Sequence, residues 1–293
     1  MRNERRFRWP EGEFKFNPPP EESPLPNEYP RPNPEKYNRV RNPEIDATIL
    51  IGIPSRNKPN DLKKCIEQLI DASDDRNNYD LLFIIDDDQI DDYKEVVGVL
   101  NPDIVKYIKP SKDSWTNIQI ACDEQFSKKD YYFFMPYGDD ISGLSHGWDT
   151  QIIYKKNHFK DDVFMLYTKT IFYGRTPKFH ERCYYVNGKC YAWTHGETMP
   201  IITKKLFEFV RPAFKNVERY KGLKELVYLT IIHLLYRWHK ENRNVCCEIS
   251  FDYTENDGTS LKMFEEVWEP FLSEIFEELR PTVEKIKNYI DKN

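Results

Sequence analysis

The sequence has no apolar run long enough to cross a membrane. Its longest apolar-rich stretch, Leu223 to Trp238, is interrupted by Lys224, Glu225, His233 and Arg237, as a buried core helix would be and a bilayer span would not. It also lacks an opening apolar segment followed by small residues, the pattern of a secretory leader. The expected location is therefore the cytoplasm (of the host, for a viral gene). A disulfide framework is missing as well. Cys65, Cys122, Cys183, Cys190, Cys246 and Cys247 are scattered, and the adjacent Cys246 and Cys247 are poor geometry for a bridge, so reduced thiols are expected. Nor is there a surplus of cations. A net charge of −6 leaves no general basic face to neutralise phosphates, which argues against a general nucleic-acid binder. A local basic cluster, Arg2, Arg5, Arg6 and Arg8, remains at the amino end. No internal repeat is present.

What is present reads as a globular chain, long enough at 293 residues for one large domain or two small ones with a buried core. Residues 1–44 stand apart. Pro18, Pro19, Pro20, Pro24, Pro26, Pro30, Pro32 and Pro34 deny that segment helix and ladder hydrogen bonds, so an extended arm is expected. Its aromatics (Phe7, Trp9, Phe14, Phe16, Tyr29, Tyr37) favour an arm wrapped over the domain rather than a plain linker. From Ile45 the pattern becomes α/β. Ala47 to Ile53 is a continuous apolar run, as a parallel strand covered on both faces requires. A helix over Asp61 to Asp71 follows, with Leu62, Cys65, Ile66, Leu69 and Ile70 on one face. Leu81 to Ile85 reads as strand, Tyr93 to Leu100 as helix, Ile104 to Ile108 as strand, Thr116 to Phe126 as helix and Tyr131 to Met135 as strand. That alternation predicts a doubly wound α/β sheet with helices on both faces.

Beyond Ser142 the pattern is α+β. Trp148 to Tyr154 reads as helix, Val163 to Phe172 as strand, and Tyr184 to Trp193 as a hairpin about Asn187-Gly188. Thr203 to Val210 and Leu223 to Glu241 read as helices, and Val245 to Tyr253 as strand. The end from Leu261 reads as helix broken near Pro270 and Pro281. The expected organisation is an arm over 1–44, a catalytic domain over 45–255 and a helical extension over 256–293.

In doubly wound sheets ligands bind beyond the carboxyl ends of the strands. The loops predicted there carry Ser55-Arg56-Asn57, Asp86-Asp87-Asp88 and Asp139-Asp140. An isolated Gly-Asp-Asp is an ordinary solvated turn. Here Asp139 and Asp140 follow Gly138 after an apolar strand, beside two further polar loops, and adjacent carboxylates so placed can share a hard divalent cation. With a nucleoside diphosphate completing the coordination, Mn²⁺ or Mg²⁺ would offset the charge growing on a leaving diphosphate. Tyr137-Gly138-Asp139-Asp140 also resembles the metal-binding hairpin of viral RNA polymerases and reverse transcriptases. Those enzymes need a Ser-Gly-bearing helix between two acidic sites, and none lies between Asp86 and Asp139.

The combination resembles family-2-like glycosyltransferases of the GT-A fold. Ile49 to Asn57 (ILIGIPSRN), Leu81 to Asp88 (LLFIIDDD) and Tyr131 to Asp140 (YYFFMPYGDD) are similar to that family's first strand and turn, second strand with its Asp pair, and acidic metal motif. Gly147-Trp148-Asp149 is similar to a pattern of some viral and bacterial members, and Glu197 to Glu208 looks like the acceptor-side segment. The resemblance covers Ile45 to Val210. It implies a GT-A-type mixed sheet and a hexosyltransferase-like enzyme using a nucleoside-diphosphate sugar, a UDP-sugar foremost, with inversion at the transferred centre. Pro54, Ser55 and Arg56 would line base and ribose, and Asp86, with Asp87 beside it, would hydrogen-bond the base. Asp139 and Asp140 would hold the metal, with Asp252 as a late third ligand, and Lys112 (like Lys109) is placed to contact diphosphate. The family's usual Glu-Asp at a late helix is replaced by Lys221-Gly222-Leu223-Lys224-Glu225-Leu226. The base that deprotonates the acceptor is then Glu225 or Glu197.

Two other classes stay open. A nucleotidyltransferase would share the architecture but open on a Gly-rich basic loop, and Pro54-Ser55-Arg56-Asn57 has no glycine. A non-catalytic binding protein on a decayed transferase fold is the other. A glycan, a protein and a modified DNA base are all open as acceptor. The Lys-, Asn-, Ile- and Tyr-rich composition points to an AT-rich genome such as that of a virus or phage. His180, Cys183, Cys190 and His195 could close a zinc site only if a hairpin joined their halves, and chance proximity is the simpler account.

Overall fold

Strand β1 (Ile49–Ser55) is buried at every residue but Pro54, because it lies inside the sheet with parallel neighbours on both sides: β2 (Tyr79–Asp86) and β4 (Phe133–Pro136). The computed structural model describes residues 39–110, 114–139, 141–171, 183–186, 189–192, 200–214, 225–253 and 272–293. The arm, with its expected wrapping, falls outside these residues apart from its last few. Between β1 and β2 runs α1 (Pro59–Ala72), opened by a proline whose missing N–H is no loss in the first turn, with Leu62, Cys65, Ile66, Leu69 and Ala72 buried. Helix α2 (Ile90–Leu100) follows β2 and ends on Asn101 in the left-handed region at φ 44°. β3 (Ile104–Ile108) pairs in parallel with β2, and α3 (Ser114–Phe126) returns the chain to β4.

The remaining elements are β5 (Ile141–Ser142), α4 (Trp148–Ile153), β6 (Met165–Ile171), β7 (Cys183–Val186), β8 (Lys189–Ala192), β9 (Ile201–Thr203), α5 (Lys204–Val210), α6 (Glu225–His239), β10 (Asn244–Tyr253) and α7 (Leu272–Ile290). One sheet joins the strands in the order β3-β2-β1-β4-β9-β6-β10-β8-β7, with β5 alongside β10. β9 runs antiparallel to both β4 and β6, and β10 runs parallel to β6. β10 therefore ends at the same edge as β1, β2 and β4.

Alternation along the strands divides the core. Ile49, Ile51, Ile53, Leu81, Phe83 and Ile85 pack with residues of α1, α2 and α4, among them Leu62, Tyr93 and Trp148. Leu50, Leu82, Ile84 and Phe134 pack on the other face with Ile118 of α3, Phe207 of α5, Ile231 of α6 and Ile275 of α7. The sheet is thus mixed and doubly wound, as expected. Gly52 suits that packing, since a Cβ there would stand 3.0 Å from the Phe134 ring, which would have to shift to admit it.

Three expectations are corrected or refined. α7 does not break at Pro281; it continues through it. The proline forfeits one backbone bond, and burial of Ile275, Leu279, Val283 and Ile286 on one face outweighs that loss. The helix expected over Thr203 to Val210 begins one residue later, because Thr203 ends strand β9 and caps α5 through its hydroxyl, which accepts from the Leu206 N–H at 3.3 Å. The hairpin is present as β7 and β8, and its register sets Cys183 opposite Ala192 and Cys190 opposite Tyr185, so the two cysteines are not register partners. His180 and His195 lie outside the described residues.

Gly147-Trp148-Asp149 is a structural clamp at the amino edge of the sheet. The Gly147 N–H donates to Ala72 O at 2.8 Å, and the Trp148 Nε1–H donates to Leu69 O at 3.0 Å, which ties α4 to the end of α1. Gly147 sits at φ 71°, and a Cβ there would meet an Asp74 carboxylate oxygen at 2.9 Å. Asp149 is fully buried and accepts from the backbone N–H groups of Asp74 (2.7 Å) and Asp75 (2.9 Å) and from Asn78 Nδ2 (2.8 Å). Nearby, buried Asp80 accepts from Arg41 Nε at 2.8 Å, Lys129 Nζ at 2.8 Å and Tyr131 OH at 2.7 Å. Asp103 receives Arg76 at 2.5 Å and the Leu81 N–H at 2.7 Å.

Candidate functional site

At the carboxyl edge the ends of β1, β2, β4 and β10 converge. β1 ends in Ser55, followed by Arg56 and by Asn57 at φ 60°, a left-handed turn that asparagine tolerates better than most residues. The turn is held by Gln89, whose Oε1 accepts from the Asn57 N–H at 2.9 Å while its Nε2 donates to Asn57 Oδ1. Gln89 itself is buried and closes the short 3-10 turn Asp87–Gln89 that follows β2. The first two polar loops are thereby locked to each other.

Arg56 lies across the same gap. One of its nitrogens donates to Asp86, and both nitrogens engage Asp88 in a bidentate pair at 2.9 and 3.0 Å. The hydrogen bonds from Arg56 to Asp88 and then Asp86 raise the guanidinium's pKa further, so it is a permanent cation. The pair is exposed to solvent, with the Arg56 side chain 44% accessible. Arg56 and Asp86, both expected at the base, thus contact each other. Asp87 is exposed beside them.

After β4 the chain turns at Gly138, whose carbonyl accepts from the Ile141 N–H at 3.4 Å and from the buried Cys65 thiol of α1 at 3.3 Å. Asp139 leaves this turn toward β1: the Ser55 hydroxyl donates to Asp139 Oδ2 at 2.6 Å. Ser55 Oγ is also 2.8 Å from the hydroxyl of Tyr93, and that hydroxyl accepts from the Lys58 N–H at 3.0 Å. Tyr93 is fully buried, and burial first of all pushes its phenol above the usual range.

Asp140 is outside the described residues, as are Lys112 and Glu197. β5 begins at Ile141 and pairs antiparallel with β10, setting Asp252 opposite Ser142 and Tyr253 opposite Ile141. Asp252, expected as a late ligand, is therefore on the strand that pairs with β5, which begins two residues after Asp139. Glu225, one of the two expected bases, is the first residue of α6. Among the described residues no group of three His, Cys, Asp or Glu side chains is gathered as a metal cluster. Carboxylate oxygens at a strand end are the donors that Mg²⁺ and Mn²⁺ take, so Asp139, with Asp140 next in sequence and Asp252 on the strand paired with β5, fits such an ion in kind.

Sequence reasoning missed Tyr93, Gln89 and Cys65. A Tyr on the apolar face of a helix was the available signal, since a buried phenol needs a hydrogen-bond partner. A cleft of about 300 Å³ lies elsewhere, at the amino edge, lined by Asp123, Phe126, Lys204, Phe207, Arg211 and Pro212. No described helix is long and apolar enough to cross a membrane. Cys65, Cys122 and Cys247 are buried, and none of the three is in a disulfide.

The class defined so far is a mixed, doubly wound α/β protein with an acidic, hydrogen-bonded carboxyl edge. No protein-family model matches the sequence, and no curated protein does. Among solved structures the chain is similar to S. aureus TarS, at 10% identity over 75% of this chain with a TM-score of 0.48. The chain spans only 39% of that protein's length. It is also similar to a protein from Desulfovibrio desulfuricans G20 described as a nucleotide-diphospho-sugar transferase, at 10% identity over 83% of this chain and 98% of that one, TM-score 0.44. A third is the mannosyltransferase PcManGT from Pyrobaculum calidifontis, in complex with GDP-Man and Mn²⁺, at 7% identity over 86% of this chain and 72% of that one, TM-score 0.48.

Proposed function

We propose that the protein is a GT-A-type glycosyltransferase that takes a nucleoside-diphosphate sugar, foremost a UDP-sugar, at the carboxyl edge of its sheet and transfers the sugar to a hydroxyl acceptor. The observation that carries this reading is the convergence of Ser55, Arg56, Asp86 and Asp139 at one edge, with Asp252 on the strand that pairs with β5. Pro54, Ser55 and Arg56 with Asp86 and Asp87 form the base and ribose side, and Lys112 is assigned to the diphosphate. Asp139 and Asp140, joined by Asp252, would hold Mn²⁺ or Mg²⁺, which when bound supplies positive charge to the departing diphosphate.

The residues' own part follows from their chemistry. The Ser55 hydroxyl fixes the carboxylate of Asp139 before the donor arrives, and Arg56, bidentate to Asp88 and bonded also to Asp86, holds both carboxylates at the mouth. Glu225 or Glu197 takes the proton of the attacking hydroxyl in an inverting displacement. The acceptor is a glycan, a protein or a modified nucleic-acid base, and the scattered thiols favour work in the cytoplasm. The test is UDP binding with and without Mn²⁺, in wild type and in Asp140→Ala. Mn²⁺ should strengthen binding in wild type alone; equal binding in all four combinations overturns the metal–diphosphate role.

A further inference from the structure

Tyr93 lies on α2, outside the loops that would touch a donor, yet it belongs to a hydrogen-bond chain that ends on Asp139. The direction of that chain is set at both ends, because the Asp139 carboxylate only accepts and so takes the single proton of Ser55. A backbone N–H can only donate, so the Lys58 N–H, 3.0 Å from the Tyr93 hydroxyl, occupies that oxygen as an acceptor. The phenol proton then points to Ser55 Oγ at 2.8 Å, and the single proton of Ser55 is left to point at Asp139 Oδ2 at 2.6 Å. A carboxylate, accepting only, completes the sequence without conflict. Each bond polarises the next in the same sense, within a buried helix–strand contact: Tyr93 is fully buried and Ser55 is 6% exposed.

We propose that Tyr93 is a positioning residue for Asp139, acting through Ser55. Without the phenol, the Ser55 hydroxyl can rotate and donate elsewhere. With it, Ser55 has one orientation, which fixes Oδ2 and with it the plane of the carboxylate and the place of Oδ1. The Gly138 carbonyl is meanwhile held by the Cys65 thiol at 3.3 Å, so the turn is anchored on its backbone and on its side chain by different elements. Groups that orient a ligating carboxylate in this way commonly change metal affinity by roughly 10- to 100-fold when removed. The proposal rests on the reading of Asp139 as part of a metal–diphosphate site.

The experiment titrates Mn²⁺ into the full chain in the presence of UDP, following the free Mn²⁺ signal by electron paramagnetic resonance. It uses wild type, Tyr93→Phe, Ser55→Ala, the double variant, and Val96→Ala, a cavity one turn along the same helix that leaves the chain of hydroxyls intact. Tyr93→Phe should weaken Mn²⁺ binding roughly tenfold. Ser55→Ala should do at least as much, and adding Tyr93→Phe to Ser55→Ala should change nothing more. Val96→Ala should bind as wild type does. If Tyr93→Phe binds Mn²⁺ like wild type, if its effect adds fully to that of Ser55→Ala, or if Val96→Ala is equally impaired, the positioning role is wrong while the metal site stands. If wild type itself takes up no Mn²⁺ with UDP, the metal-site reading fails and takes the proposal with it. Should Tyr93→Phe not fold, Ser55→Ala decides alone, and unchanged affinity there overturns the proposal.

Discussion

Removing the carboxylate of Asp149 should damage the fold and spare the ligand site. The side chain is fully buried and accepts three hydrogen bonds, from the Asp74 and Asp75 backbone N–H groups and from Asn78 Nδ2, at 2.7 to 2.9 Å. A hydrogen bond to a charged acceptor contributes roughly 1.5–3 kcal/mol net, so three set an upper limit near 5–9 kcal/mol. Two effects reduce this. Burial is the largest influence on Asp149 and raises its pKa, so ionisation there is already penalised, and the half-buried Asn78 amide can turn to water. We expect Asp149→Ala to cost about 3–4 kcal/mol, and Asp149→Asn about 2 kcal/mol, because the amide keeps one acceptor but sets an N–H₂ against N–H donors. Urea unfolding followed by tryptophan fluorescence reads this directly, since Trp148 is buried against Tyr79 at 4.9 Å between ring centroids. Folded Asp149→Ala should bind UDP within about twofold of wild type, its clamp being at the opposite edge from Asp139. A loss under about 1 kcal/mol, or a folded variant that no longer binds UDP, would refute the reasoning.

Sequence alone assigns no place in the sheet to Gly147-Trp148-Asp149, which stands a few residues after the acidic turn. Gly143 and Gly147 turn the chain with positive φ angles between Ser142 and α4. The peptide thereby crosses to the end of α1 before Asp149 is reached. By contrast, β1, β2, β3 and β4 were legible because each is a short apolar run bounded by polar turn residues. β9 and β5 were not, since three and two residues carry no periodicity, and their place in the sheet comes from pairing partners far along the chain. Pro281 misled in the other direction, because a local rule about proline cannot weigh the tertiary burial of the helix around it.

The site was legible to the same depth. Ser55, Arg56, Asp86 and Asp139 could be assigned to one edge by strand order alone. Which of them touch could not. The sequence placed Arg56 and Asp86 on neighbouring loops facing a common ligand, whereas the structure pairs them with each other. Two loops of opposite charge at adjacent strand ends meet unless something separates them. Tyr93 and Gln89 escaped notice because helix periodicity reports that a residue is buried and says nothing of the polar atom it carries inward.

Two further outcomes follow from the charges. Burial would raise the pKa of Asp80, but the hydrogen bonds from Lys129, Tyr131 and Arg41 prevail and hold it below the ordinary carboxylate value. Its contribution to stability is therefore present above about pH 4, where an unfolded Asp is ionised, and is lost as pH falls through the lower folded value. Asp149, raised instead, has a proton-linked part of opposite sign, present below about pH 4 and lost as pH rises through the folded value, while its three hydrogen bonds remain to the ionised carboxylate. Asp80→Asn should cost roughly 3 kcal/mol at pH 7, a deficit that narrows as pH falls below about 4; a deficit constant across urea titrations at pH 7, 5 and 3.5 would contradict the linkage. Arg56→Ala should leave the thermal midpoint unchanged, because exposed ion pairs add little to stability. Its effect belongs to binding. Without the guanidinium, Asp86 and Asp88 turn two uncompensated negative charges toward an incoming diphosphate, so UDP affinity should fall at low salt and recover as salt screens the repulsion. Arg56→Lys should restore only part of the affinity, since an ammonium cannot span both carboxylates as the fork does. Calorimetric titrations at two ionic strengths distinguish the cases: affinity that is unchanged, or lowered equally at both, would mean that Arg56 does not shield the site from its own carboxylates.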